Sequence, residues 1–204
     1  TFTGSSKWDN GTYQHILKAV DTEVVINGGT FDATIKGMTN AMINVSENSA
    51  VTINGGTFKN VNGVIPQFAP YMFTYEKNGK LIINGGDFYG GWRFNGETAT
   101  TDIYGGNFTV SYDGQSFHAG STHVLTVYGG VFSLENGGKL NPTNYCAEGY
   151  IAIVENGKFV VVDGRYAAKI GETKYATLQE AVDAVQDGET VKFILDVEQE
   201  DGIL

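Results

Sequence analysis

Cysteine is all but missing from this chain. Cys146 stands alone among 204 residues, so no disulfide closes within it and no cysteine-based zinc site can form. A partly buried, inert thiol is the expected state of that residue. Proline is scarce, at three, which excludes a proline-rich stalk. A hydrophobic content of 41% excludes a disordered chain. Basic residues are few: 13 Lys and Arg stand against 23 Asp and Glu, for a net charge of -10. No basic run interrupts the acidic excess, so nothing would neutralise a phosphate backbone or settle on an anionic bilayer. Nucleic acid is therefore not an expected partner. Nor is direct membrane insertion, because no apolar run approaches the length of a span.

What the chain has in plenty is glycine (28), tyrosine (11) and phenylalanine (12), with abundant Thr, Val and Asn. That bias suits short strands joined by glycine corners. One phrase recurs five times: Ile26-Asn27-Gly28-Gly29-Thr30-Phe31, then its counterparts ending at Phe58, Phe88, Phe108 and Phe132. The first glycines lie at 28, 55, 85, 105 and 129, giving steps of 27, 30, 20 and 24 residues. A period in that range is the mark of a solenoid, and uneven steps place the insertions in loops while the corner is kept.

A short alternating triplet precedes each corner: Val24–Ile26, Val51–Ile53, Leu81–Ile83, Thr101–Ile103 and Leu125–Val127. With a period of two, the outer members share a dry face, Thr101 being the exception, while the middle members face water. A further strand is expected ahead of each triplet, at His15–Val20, Ala41–Val45, Tyr71–Tyr75, Trp92–Asn95 and Phe117–Ala119. Turn residues such as Ser46–Ser49 and Glu76–Gly79 separate the two. Three strands per repeat with corners between them predict an all-β fold, a right-handed parallel β-helix over residues 1–140. Phe31, Phe58, Phe88, Phe108 and Phe132 form an interior ladder in that reading. Asn27, Asn54 and Asn84, continued by Tyr104 and Tyr128, form a second. At about 4.8 Å per rung, five or six rungs give a rod roughly 25–30 Å long. An antiparallel sandwich of hairpins is the rival fold, and it leaves the repeated corner phrase unexplained.

Residues 141–165 break the pattern. Gly149–Val154 and Lys158–Val162 alternate around Glu155-Asn156-Gly157, a strong hairpin signal, and such a hairpin can cap a solenoid. Residues 166–204 read as a junction module. A hairpin (Ala168–Ile170 with Lys174–Ala176) leads to a capping box at Thr177 and Glu180. A helix carrying Leu178, Ala181, Val182 and Val185 follows, closed by Gly188, and then a strand over Thr190–Leu195. At the other end, Thr1-Phe2 repeats the Thr-Phe of the first two corners, which predicts a start inside a longer array.

The Gly-Gly-x-Phe repeats resemble those of large bacterial cell-surface proteins with pectin-lyase-like β-helices, adhesin-like proteins common in Gram-positive gut anaerobes. Tyr145–Tyr150 and its hairpin share that resemblance. Residues 168–197 are similar to the module that commonly opens a β-helix in such proteins, but here it stands late in the chain. The resemblance implies a secreted protein at the bacterial cell surface or wall, flanked by further repeats and built for adhesion to carbohydrate or host protein. It also implies that an enzyme must be considered, since polysaccharide lyases and glycoside hydrolases share the fold. Hydrolases of this fold commonly carry adjacent Asp pairs and Gly-His-Gly, whereas this chain has neither Asp-Asp nor Gly-His. Only Arg93 and Arg165 are available as arginine bases. Asp87 and Asp102 are the nearest approach to a carboxylate pair, read more plainly as solvated residues. No catalytic residue is assigned.

The glycine pairs are neither phosphate loops, lacking a following Lys-Ser/Thr, nor the calcium-binding nonapeptide, since Phe stands where its third Gly belongs. No metal or cofactor is expected. The ligand-binding candidates are Tyr104 and Tyr128 as a sugar platform, an aromatic among Tyr71, Phe73 and Tyr75, and Arg93 with His118 for an acidic sugar or peptide. His15 and His123 have no ligand-spaced partner. The leading expectation is a non-catalytic adhesive rod. A carbohydrate-active enzyme and a passive spacer are the alternatives.

Overall fold

The computed structural model describes residues 2–3, 15–32, 41–60, 72–75, 77–94, 98–109, 117–119, 122–133 and 140–194. Within these residues the fold is mostly β-sheet with one α-helix. Strands are numbered in chain order. The segment after each glycine corner enters one sheet: β1 (Phe2–Thr3), β4 (Thr30–Asp32), β7 (Thr57–Asn60), β10 (Asp87–Gly90), β13 (Asn107–Thr109) and β16 (Gly130–Ser133). All of these run parallel, and Phe31, Phe58, Phe88, Phe108 and Phe132 are register partners in turn.

The triplets before the corners make a second parallel sheet of β3 (Glu23–Ile26), β6 (Ala50–Ile53), β9 (Lys80–Ile83), β12 (Thr100–Ile103) and β15 (Val124–Val127). Ile26, Ile53, Ile83, Ile103 and Val127 form one row across it. The third segment of each repeat gives β2 (Leu17–Ala19), β5 (Ile43–Val45) and β8 (Phe73–Tyr75), again parallel. Likewise β11 (Trp92–Phe94) pairs with β14 (Phe117–Ala119), and the Met72 amide donates to the Gly91 carbonyl at 2.8 Å beside them. The third segments thus form two separate parallel sheets, β2-β5-β8 and β11-β14, among the described residues.

Alternation along the triplets sorts the side chains as a period of two requires. Val51, Ile53, Leu81, Ile83, Ile103 and Val127 are fully buried, while Val25 on the other face is 60% exposed. Residues from the two long sheets and from β2-β5-β8 meet in one continuous core, with Ala19, Ile43 and Val45 packed in the same cluster as Val51, Ile53 and the five phenylalanines. Successive phenyl rings lie 4.7, 4.9, 5.1 and 4.6 Å apart, with planes within 11° of parallel. That spacing is the strand-to-strand distance of a parallel sheet, so the backbone ladder sets the ring ladder. Burying each ring contributes about 1.5–3 kcal/mol.

Two columns of left-handed backbone turn the chain. At the glycine corners the second Gly carries positive φ, from 107° at Gly29 to 121° at Gly86. A Cβ on Gly56 would lie 2.9 Å from the Gly29 carbonyl oxygen, because the corners stack directly on one another. The opposite corner uses Asp21, Asn48, Asn78 and Thr98, all with φ between 44° and 59°. Their side chains bridge successive repeats: Asn48 Nδ2 donates to Asp21, Asn78 Nδ2 to Asn48, and Thr98 Oγ1 to Asn78 at 2.6 Å. Asn and Asp tolerate this conformation, which is why they occupy three of the four places.

After Phe132 the chain direction reverses. β17 (Tyr150–Glu155) and β18 (Lys158–Asp163) form a hairpin whose β18 pairs antiparallel with β16, Phe132 opposite Phe159. Its turn is the two residues Asn156 and Gly157, with φ of 50° and 71°, the geometry that Asn-Gly favours. A small antiparallel sheet follows, β20-β19-β21, from β19 (Ala168–Ile170), β20 (Thr173–Tyr175) and β21 (Val191–Phe193). Helix α1 (Leu178–Ala184) packs on it through Ala181, with the Thr177–Glu180 capping box formed in both directions.

The helix ends earlier than expected. Val185 takes extended backbone as its C-cap, and Gly188, with φ of 85°, belongs to the next turn and does not close the helix. The final strand is also shorter than the anticipated Thr190–Leu195, covering Val191–Phe193.

Candidate binding surface

The outer side of the glycine corners carries a continuous column of polar and aromatic side chains. Asn54 Nδ2 donates to Asn27 Oδ1 and Asn84 Nδ2 to Asn54 Oδ1, each at 2.7 Å. Amide ladders of this kind satisfy each residue with the one below. Tyr104 and Tyr128 continue the column, their rings stacked at 4.6 Å and 8°, and Tyr150 meets Tyr128 edge-on at 5.5 Å. Tyr104 is half exposed, and partial burial, then the Asp102 carboxylate, hold its hydroxyl above its ordinary pKa. Beside the column a shallow groove of about 590 Å³ runs over the glycine backbones, walled by Thr57, Asp87 and Asn107. Asn107 Nδ2 donates to Asp87 there at 2.8 Å.

The tyrosines also form one wall of a deeper cleft of about 670 Å³ between the hairpin and the small sheet. Lys169, Lys174 and Lys192 line the same cleft, together with Glu155, Asp163 and Phe193. The sheet brings the lysines together: Lys169 sits opposite Lys174 on one side and opposite Lys192 on the other. Neighbouring Ala168 and Ile170 point the other way and are buried. Close by, Arg165 clamps Asp163 through Nε and Nη2 at 2.8 and 2.7 Å. Those bonds hold the Asp163 carboxyl down at about pKa 2 and raise the guanidinium in turn.

The other expected site residues fare differently. Arg93 and His118 are register partners on β11 and β14, so the sheet does bring these two positions side by side, while their side chains lie outside the described residues. Tyr71 also lies outside them. Phe73 and Tyr75, considered as outward platforms, are instead buried, because their parity on β8 points them into the core. Asp87 and Asp102 stand in different sheets, Asp87 bonded to Asn107, and do not form a pair. His15 Nδ1 lies 2.8 Å from the Ala41 carbonyl oxygen. Cys146 is partly buried, which raises its thiol pKa, and its sulfur reaches the Pro142 carbonyl at 3.6 Å.

The row of lysines was missed in the sequence. Period-two alternation puts Lys169 and Lys174 on one face of a tight hairpin, and that much was readable. Lys192 arrives from beyond the helix, and its register with Lys169 is set by tertiary packing alone.

No family model matches the chain, and no solved structure matches it. The chain is 26% identical over 199 residues to the "Adhesin BmaC autotransporter" of Brucella suis biovar 1 (strain 1330). That alignment covers 93% of this chain and spans 5% of the adhesin's length. The chain is thus similar, at low identity, to a stretch of an autotransporter adhesin.

Proposed function

We propose that this chain is a non-catalytic segment of a secreted bacterial surface protein, a right-handed parallel β-helical rod that presents one side for adhesion to carbohydrate or host protein. The observation that carries this reading is the in-register stack. Five repeats place the same side-chain types one above another, so that the outer Asn and Tyr column forms a long, regular, solvent-facing strip. Pre-formed strips of this kind bind without an ordering cost, which suits attachment better than turnover. The pectin-lyase-like character of the repeats and the extracellular location belong to the same reading, and the similarity to an autotransporter adhesin supports the surface-exposed, adhesin-like part of it.

Two measurements test it. The purified chain, immobilised and probed with a glycan array and with extracellular-matrix proteins, should bind at least one ligand saturably. Antibodies raised against the chain should label intact cells of the bacterium that makes it. Absence of binding across both panels would leave only a spacer, and label confined to lysed cells would overturn surface display.

A further inference from the structure

The cleft between Tyr104, Tyr128 and Tyr150 and the lysine row has a charge arrangement that folding alone does not favour. Lys174, Lys169 and Lys192 stand directly across from one another in three adjacent strands. Like charges in that relation repel and destabilise a sheet. Among the described residues, no carboxylate pairs with any of the three. Lys174 instead reaches over the Tyr166 ring, 5.4 Å from its centroid. Of the two acids that line the cleft, Glu155 and Asp163, the second is engaged by Arg165 and also feels the charge of Lys174. In a chain with a net charge of -10, three lysines therefore gather at one concave site beside two carboxylates, Glu155 and Asp163, the second of them clamped by Arg165.

We propose that this cleft binds an acidic sugar, a pyranose bearing a carboxylate, within a glycan chain. The proposal rests on the adhesive reading above and names its ligand class. Tyrosines offer what a sugar ring needs, an apolar ring surface for its C–H face and a hydroxyl for its own hydroxyls. The lysines, a few ångströms apart on one face, answer the carboxylate. At about 670 Å³ the cleft has the size of a small-ligand site. An extended acidic peptide fits less well. The central strands β18 and β19 are paired on both sides, which leaves only the edge strands β17, β20 and β21 for a strand to join. A long polyphosphate chain would leave the cleft and meet the acidic remainder of the molecule.

The test is calorimetric titration of the whole chain with sialyllactose, a glucuronic-acid-containing hyaluronan oligosaccharide, neutral lactose and an oligoglutamate peptide. One acidic sugar should bind at least tenfold more tightly than lactose, weakening as salt rises, and the two acidic arms tell a sialic acid from a uronic acid source. The double variant Lys169→Gln/Lys192→Gln should lose at least tenfold, about 1.4 kcal/mol, with its melting temperature unchanged or raised. Tyr104→Ala should weaken the same ligand. No binding by either acidic sugar, equal binding by the lysine variant, or tighter binding of the peptide would each overturn the proposal. Adhesion in the array that survives Lys169→Gln/Lys192→Gln would sink this inference while leaving the adhesive reading standing. Titration without any array adhesion would do the reverse.

Discussion

Thr101 Oγ1 lies 3.0 Å from His123 Nε2, and both side chains are buried in the core, where Tyr75 Oη completes the group at 3.0 Å from the same hydroxyl. Thr101 was the polar exception on an otherwise aliphatic face, and this is its partner set. Burial drives the His123 pKa down from 6.5 to about 4 and pushes the Tyr75 hydroxyl up. A base whose folded pKa is depressed stays neutral in the native state while the unfolded chain takes up the proton. Its stability is therefore whole above pH 6.5 and lost as pH falls through about 4. The loss amounts to about 3 kcal/mol. Urea melts at pH 7.5 and pH 4 should show it. Most of the difference should vanish in His123→Phe, and a variant that keeps the full acid sensitivity would refute the assignment.

The phenylalanine column predicts a graded response. Phe88 stacks on both sides and also meets Phe73 at 6.4 Å, so Phe88→Ala should cost about 3–5 kcal/mol. Equilibrium denaturation is the measurement. A cost below about 1 kcal/mol would mean that the ring does not sit in a packed interior.

Two glycines from successive corners, Gly56 and Gly28, should respond unequally to the same change. Gly56 holds φ of 116° against the Gly29 carbonyl, and Gly56→Ala should cost at least about 1–2 kcal/mol. Gly28 has nothing within 4 Å of an added Cβ, and Gly28→Ala should stay within about 0.5 kcal/mol. Equal costs at the two positions would contradict stacked corners.

Thr98 is the outlier of its column, a β-branched residue at φ of 57° where Asn48 and Asn78 stand in the repeats before it. Thr98→Asn should relieve that strain and stabilise by roughly 0.5–1 kcal/mol, read as a higher melting temperature. A lower one would show that the Thr98 hydroxyl bond to Asn78 matters more than the backbone.

Much of the architecture was legible because it is repeated. The Gly-Gly-x-Phe phrase, the triplets and the Asn-Gly hairpin each carry a local physical cause, and each maps onto an observed strand or turn. The left-handed column at Asp21, Asn48, Asn78 and Thr98 was only half visible, since Thr98 breaks its chemistry. The end of α1 was misplaced because Gly188 is a plausible closing residue, and nothing local says that Val185 will turn extended first. For the binding surface, the tyrosines could be placed but not the lysines facing them, whose meeting depends on how the last sheet docks.

The hairpin also settles how the stack terminates. It adds two strands, roughly 10 Å, to the sheet of β16. The neighbouring sheet gains a single bridge from Val127 to Cys146 among the described residues. The terminus is therefore a stair and not a plane. The parallel order that carries the repeats thus gives way to antiparallel pairing in one sheet while the neighbouring sheet stops lower down.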